Sequence, residues 1–155
     1  MPTTTLSRDA RWFVRNLAYV KVAGSETGGA YAVVEFSGPQ GDMPPLHVHH
    51  REAEAFYVLE GSMTLFVGGD ELHLEAGECA VAPRGVPHAY RVDSPEARWL
   101  GIASPAGFDE FVLAASVPAE AETLPEGPPA FAPDELGAIA AGFGIELLGP
   151  PGTLP

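Results

Sequence analysis

The sequence has little cysteine, little positive charge and no long apolar run, and each shortage excludes something. Cys79 is the only cysteine in 155 residues, so no disulfide can form within the chain and a reducing, cytoplasmic setting is expected. Eight Lys and Arg stand against 21 Asp and Glu, a net charge of −13. Phosphate binding needs a basic footprint, so nucleic acid is not expected as a main partner, and an anionic membrane or polyanionic substrate is disfavoured. Every base lies between Arg8 and Arg98, whereas the segment from Ser104 onward holds eight acids and no base. No apolar stretch approaches the roughly 18 residues that span a bilayer, so no membrane partner is expected. The first 15 residues lack the apolar core of a secretory leader.

What is present reads as short strands broken by turns. Hydrophobic residues make up 46% of the chain, with 18 Gly and 16 Pro. That combination suits a packed domain rich in turns rather than a disordered chain or a bundle of long helices. Two-residue alternation predicts strands over residues 17–22, 30–36, 46–50, 55–59, 63–67, 71–75, 79–82, 88–92 and 98–103. Gly68-Gly69-Asp70 is a hairpin signal between two of them. Many short strands imply an all-β sandwich or barrel. Two short helices are expected, one after the last strand and ending near residue 115, the other over 133–141. The stretch 117–132, rich in Pro, Ala and Glu, reads as an extended linker.

Three of the five histidines fall within four residues: His47, His49 and His50. Strand side chains alternate faces, so His47 and His49 point the same way, about 6.6 Å apart along the strand. Glu54 follows five residues after His49, which in an unbroken strand would turn it to the other face. A turn through the polar run His50-Arg51-Glu52 can bring it back. His88 opens a strand after the turn-forming Pro83-Arg84-Gly85-Val86-Pro87. Three neutral imidazoles and one carboxylate form a donor set for Fe, Mn, Ni, Co, Cu or Zn, whereas Ca and Mg prefer oxygen ligands. Phe56 and Val58 share a face with Glu54, and Tyr90 and Val92 with His88, so these four are expected to line the site.

Other polar residues have plainer readings. His50 and His73 are expected to face solvent and Cys79 to be a small buried side chain, while Glu52 reads as a solvated turn carboxylate or, alternatively, as a partner to a ligand imidazole. Arg51 and Arg84 read as exposed loop residues.

Gly41-x5-His47-x-His49-x4-Glu54-x6-Gly61 resembles the first motif of the cupin family. Gly77-x5-Pro83-x-Gly85-x2-His88 resembles the second. With this composition the first motif alone arises by chance on the order of 10⁻⁶ per start position. The family pattern carries Asn four residues after the last His, where this chain has Val92. Thr27-Gly28-Gly29-Ala30 and Ser104-Pro105-Ala106-Gly107-Phe108 are similar to small single-domain cupins of the quercetin 2,3-dioxygenase-like group.

The resemblance implies a single jelly-roll β-barrel with a central metal held by His47, His49, Glu54 and His88, and frequently a homodimer. The implied layout is a lead-in over 1–16 and a barrel over 17–103, with motifs at 41–61 and 77–88. Residues 104–155 then supply a helix, the linker and a docking tail. The implied activity is a dioxygenase acting on a small, neutral aromatic or enolic substrate, flavonol-like, with Glu54 as the base. Two other readings stay open at this point: a non-catalytic small-molecule-binding cupin, and a metal-assisted lyase or isomerase.

Overall fold

The computed structural model describes residues 9–155. The lead-in expected over 1–16 therefore lies partly outside the described residues. The strands are β1 (Arg11–Phe13), β2 (Asn16–Val22), β3 (Ala32–Pro39), β4 (Pro45–His49), β5 (Ala53–Glu60) and β6 (Ser62–Val67). They continue with β7 (Asp70–Glu75), β8 (Cys79–Ala82), β9 (His88–Val92), β10 (Glu96–Ser104), β11 (Ser116–Pro118) and β12 (Ile145–Pro151). Two helices, α1 (Phe108–Ala114) and α2 (Pro133–Ala141), follow β10 and precede β12 respectively.

The strands form two sheets in which every pairing is antiparallel. One has seven strands in the order β11-β1-β2-β3-β10-β5-β8, the other five in the order β12-β4-β9-β6-β7. They enclose one core in the jelly-roll manner, as two sheets rather than one hydrogen-bonded ring. Alternation decides what each contributes. Val34, Phe36, Phe56, Val58 and Trp99 are buried from the larger sheet, and Met63, Leu65, Tyr90 and Val92 from the smaller.

All nine strands expected from alternation are present, with their ends shifted by up to three residues. Three further strands carry no readable pattern. β1 and β11 have three residues each, too few to show alternation. β12 contains Leu147-Leu148 and ends in Gly and Pro, and its register against β4 shifts twice. Proline is tolerated there because β12 is an edge strand. The segment read as a docking tail thus supplies a strand to the sheet that carries the histidines.

α2 occupies the expected residues. Pro133 stands in its first turn, and the Glu135 carboxylate accepts the Ala132 N–H at 3.1 Å. α1 is shorter than expected, because β10 continues to Ser104 and the helix starts only at Phe108. Asp109 in its first turn is buried, its carboxylate accepting the N–H groups of Gly24 and Gly107. Phe108, Phe111 and Val112 turn into the core.

Candidate metal centre

β4 and β9 pair antiparallel with His47 directly opposite His88, and their ring centroids lie 4.4 Å apart. His49, two residues on, faces the same way, and its ring stacks on that of His88 at 5.1 Å. Glu54 arrives from the other sheet. The chain turns over residues 50–52, leaves the five-stranded sheet, and enters β5 of the seven-stranded one. The odd spacing is thereby explained: Glu54 reaches the same interior point from the opposite wall. One donor atom from each of His47, His49, Glu54 and His88 lies within 4.8 Å of every other.

The imidazole protons can be assigned from their neighbours. The Nδ1 of His47 lies 2.7 Å from the Pro45 carbonyl, and that of His88 3.2 Å from the Val86 carbonyl. The Nδ1 of His49 lies 2.6 Å from Glu52 Oε1. Carbonyl and carboxylate oxygens only accept, so each Nδ1 carries the proton and each neutral ring presents the lone pair of Nε2. The Nε2 atoms of His49 and His88 are buried with no hydrogen-bond partner. Two such atoms aimed at one point are the observation that most favours an ion, because buried polar atoms are otherwise satisfied.

Spacing fits as well. Glu54 Oε2 lies 3.4 Å from His49 Nε2 and 3.6 Å from His88 Nε2. Two metal bonds of about 2.0–2.2 Å meeting at a tetrahedral angle place ligand atoms about 3.4 Å apart. Glu54, His49 and His88 are thus spaced as ligands of one transition ion, and His47 completes a donor set of the right chemistry within the same 4.8 Å cluster.

Burial, with the neighbouring His88 and His49, holds His47 well below the ordinary imidazole value, against a partly offsetting bond to Pro45. Burial also opposes a charge on His49, but the Glu52 hydrogen bond and the charges of Glu54 and Glu52 outweigh it and raise that ring.

Of the two readings of Glu52, the structure shows the partner to a ligand imidazole. Glu52 is 3% exposed rather than solvated, because the turn that redirects the chain folds its side chain inward onto His49. Partners of this kind orient a ligand ring and typically change metal affinity 10–100-fold. Glu52→Ala is expected to weaken metal binding by about that factor while leaving all four donors in place, as measured by competition with a chromophoric chelator.

Gly101 has a role with no local signature. A Cβ there would lie 2.9 Å from Glu54 Oε1 and 3.2 Å from the Phe36 ring. Gly101→Ala is expected to displace the carboxylate and to lower metal affinity at least several-fold, with the melting temperature showing whether the barrel has repacked.

A cavity opens beside the cluster. His47, His49 and Glu54 form one end of it, and Phe36, Phe56, Tyr90 and Trp99 its aromatic wall. Phe13, Val14, Phe108 and Phe111 close one side, and Leu136, Ile145 and Leu147 from the last 20 or so residues of the chain close another. Among the described residues, no Lys or Arg lines it. Phe108 also packs edge-on against the His49 ring at 5.3 Å.

Phe56 and Tyr90 thus lie where the sequence places them. Val58 and Val92 do not line the cavity; both are fully buried in the core. Each stands four residues beyond a cluster residue, about 13 Å along its strand. Trp99, the register partner of Val58, lines the cavity in their stead, stacked on Phe36 at 5.7 Å and edge-on to Tyr90 at 5.0 Å.

The remaining expectations divide. His50 and His73 are exposed, bonded at 3.0 Å to Glu146 and Glu75 respectively. Arg51 lies against Gly144 and Arg84 is exposed in its turn. Cys79 is exposed rather than buried, because β8 is an edge strand on which Ala82, not Cys79, faces the core.

Comparison with known proteins agrees with this geometry. The cupin domain family matches residues 34–102, a span holding all four cluster residues. The chain is 33% identical over 117 residues to quercetin 2,3-dioxygenase of Bacillus subtilis (strain 168), covering 76% of this chain and 35% of that one. It is 28% identical over 96 residues to quercetin 2,3-dioxygenase of Aspergillus japonicus, covering 57% and 27%. The chain therefore spans between about a quarter and a third of the length of these curated relatives. A predicted oxalate decarboxylase from Thermotoga maritima superposes with a TM-score of 0.57 at 16% identity, over 64% of this chain and 95% of that one, a likeness of fold alone. Together with the two motifs and the paired sheets, these matches identify residues 34–102 as a cupin domain, and the chain is similar to the quercetin 2,3-dioxygenase-like group.

Proposed function

We propose that the chain is a metal-dependent dioxygenase of a small, neutral aromatic or enolic substrate of flavonol type. The observation that carries this reading is the convergence of His47, His49, Glu54 and His88 on one point, with two orphaned Nε2 atoms, beside an aromatic cavity. One divalent transition ion (Fe, Mn, Ni, Co, Cu or Zn) held there would acidify a substrate hydroxyl and stabilise the resulting enolate.

The residues supply the rest. Glu54 takes the hydroxyl proton, being the carboxylate of the cluster. Phe36, Phe56 and Trp99 flank a flat ring and keep water from it. The lack of Lys and Arg among the described lining residues disfavours anionic substrates such as small dicarboxylic acids. In the flavonol reaction both atoms of dioxygen enter the product and one ring carbon leaves as carbon monoxide.

The test is anaerobic binding of a flavonol followed by oxygen addition. Carbon monoxide released in step with substrate loss is the expected result. No turnover across a flavonol panel by protein with a full metal complement would overturn the reading. Turnover that proceeds without oxygen would instead indicate a lyase or isomerase, and tight binding without turnover a binding cupin.

Two further parts of the proposal concern context. The single cysteine supports a cytoplasmic location. A homodimer is supported by the outer face of the seven-stranded sheet, where Tyr57 and Val81 near its β8 edge are 37% and 52% exposed. Light scattering is expected to return twice the chain mass, and Val81→Glu to return the single-chain mass.

A further inference from the structure

The cavity has a second polar corner, away from the four-residue cluster. Asn16 at the start of β2, Asp42 in the loop before β4, and Tyr90 on β9 meet there, and all three line the cavity. Each is at least nine-tenths buried: Asn16 is 3% exposed, Asp42 2% and Tyr90 8%. The Asn16 amide donates to Asp42 Oδ2 at 2.7 Å. The Tyr90 hydroxyl lies 3.2 Å from both Asn16 Oδ1 and Asp42 Oδ2.

Counting donors and acceptors shows a surplus of acceptors. The tyrosine has one proton for two oxygens. Asp42 takes both of its side-chain bonds on Oδ2, and its Oδ1 receives none from any described residue. Asp42 lines the cavity, so this oxygen is an acceptor that a ligand O–H can reach.

The corner is also rigidly placed. The Asp42 backbone is bonded at both ends, its N–H to the Pro39 carbonyl and its carbonyl to the Val92 N–H, each at 3.0 Å. Gly38 keeps the space above it free. A Cβ at Gly38 would lie 2.8 Å from Asp42 Oδ2 and 3.0 Å from Asn16 Nδ2. Its φ is not in the left-handed region, so what the position needs is room for the triad, not backbone freedom.

We propose that Asn16, Asp42 and Tyr90 form a second polar subsite, in which Asp42 accepts a hydrogen bond from a hydroxyl on an aromatic ligand whose other end meets the histidine cluster. This rests on the aromatic-substrate reading above and narrows it: the ligand carries a free ring hydroxyl, not a bare or methylated ring. Tyr90 stands two residues beyond His88, about 6.6 Å along β9, so one aromatic body can bridge the two polar ends. Phe56 lies between them, its ring 6.0 Å from His88 and 6.3 Å from Tyr90.

The test compares two probes that differ only in the donor, 4-fluorophenol and 4-fluoroanisole, titrated into the full chain as purified and followed by ¹⁹F NMR. Wild type is expected to bind the phenol about tenfold more tightly, the scale of one hydrogen bond to a charged acceptor. Asp42→Asn is expected to reduce that preference to less than about threefold, and Tyr90→Phe, which leaves both acceptors, to retain it. Gly38→Ala, which presses on the triad without altering it chemically, is expected to lower the preference and serves if Asp42→Asn does not fold. Equal binding of the two probes by wild type, binding of neither, or a preference that survives in a folded Asp42→Asn protein would each overturn the proposal. The last outcome would trace the preference to phenolate at the histidine cluster. Failure of the dioxygenase reading looks different: carbon monoxide is absent from the flavonol assay while the phenol preference stands.

Discussion

Glu54→Gln is expected to reduce oxygen-dependent turnover by about 10²- to 10⁴-fold while the protein stays folded. Glutamine has nearly the shape of glutamate and fits the space that Gly101 leaves beside Oε1. What it loses is the ability to take a proton, and a carboxamide is also a weaker ligand than a carboxylate. The side chain is 4% exposed, and its close ion-pair approaches among the described residues are to His49 and His88, at 3.4 and 3.6 Å. No hydrogen bond that supports the fold is therefore broken, and the loss falls on turnover. Stopped-flow mixing of the anaerobic flavonol complex with oxygen separates the proton step from binding. Turnover within tenfold of wild type in a metal-replete variant would remove Glu54 from the role of base.

His88→Ala is expected to act on metal and stability together. The ring is 1% exposed and packs against both other histidines and Phe56. Truncation leaves a cavity costing on the order of 2–4 kcal/mol, in the range of large-to-small core changes. It also removes one donor of four, and bound metal is expected to fall below about a tenth of the wild-type content. A ligand that binds only the native state stabilises it by about 2.7 kcal/mol at a hundred times its Kd. Added metal should therefore raise the wild-type melting temperature by several degrees and leave that of His88→Ala unmoved. An equal rise in both proteins would place the ion elsewhere.

The parts of this account legible in the sequence are those with a local period. Nine strands announced themselves by alternation, and the spacing of His47, His49 and His88 identified their common face because two residues of strand return a side chain to the same side. Glu54 was legible as a candidate, but its orientation depended on a change of sheet at residues 50–52, which no local pattern encodes. The same reversal buries Glu52 and so decides between its two readings, solvated turn carboxylate and partner of a ligand imidazole, in favour of the second. Val58 and Val92 show the opposite failure. Alternation puts them on the interior face correctly, but it does not say how far along the strand the cavity extends before Trp99 ends it. Cys79 needed the knowledge that β8 is an edge strand. Asn16, Asp42 and Tyr90 were invisible as a group, being joined across separations of 26, 48 and 74 residues.

The fold and the site are related through those long-range contacts. The five-stranded sheet supplies three imidazoles in fixed tautomers, and the seven-stranded sheet supplies the carboxylate. Elements outside the family match at residues 34–102, notably α1, α2 and β12, close the cavity with Phe108, Phe111, Leu136, Ile145 and Leu147. The eight unbalanced acids after Ser104 belong to this covering segment, and none of them lines the cavity.

The most direct test of the central claim is the metal content of protein purified without a histidine tag, measured by plasma mass spectrometry alongside His47→Ala. One divalent transition ion per wild-type chain, falling to a small fraction in the folded variant, is the predicted result. A wild-type protein that neither contains nor takes up such an ion, or a variant with undiminished content, would contradict it.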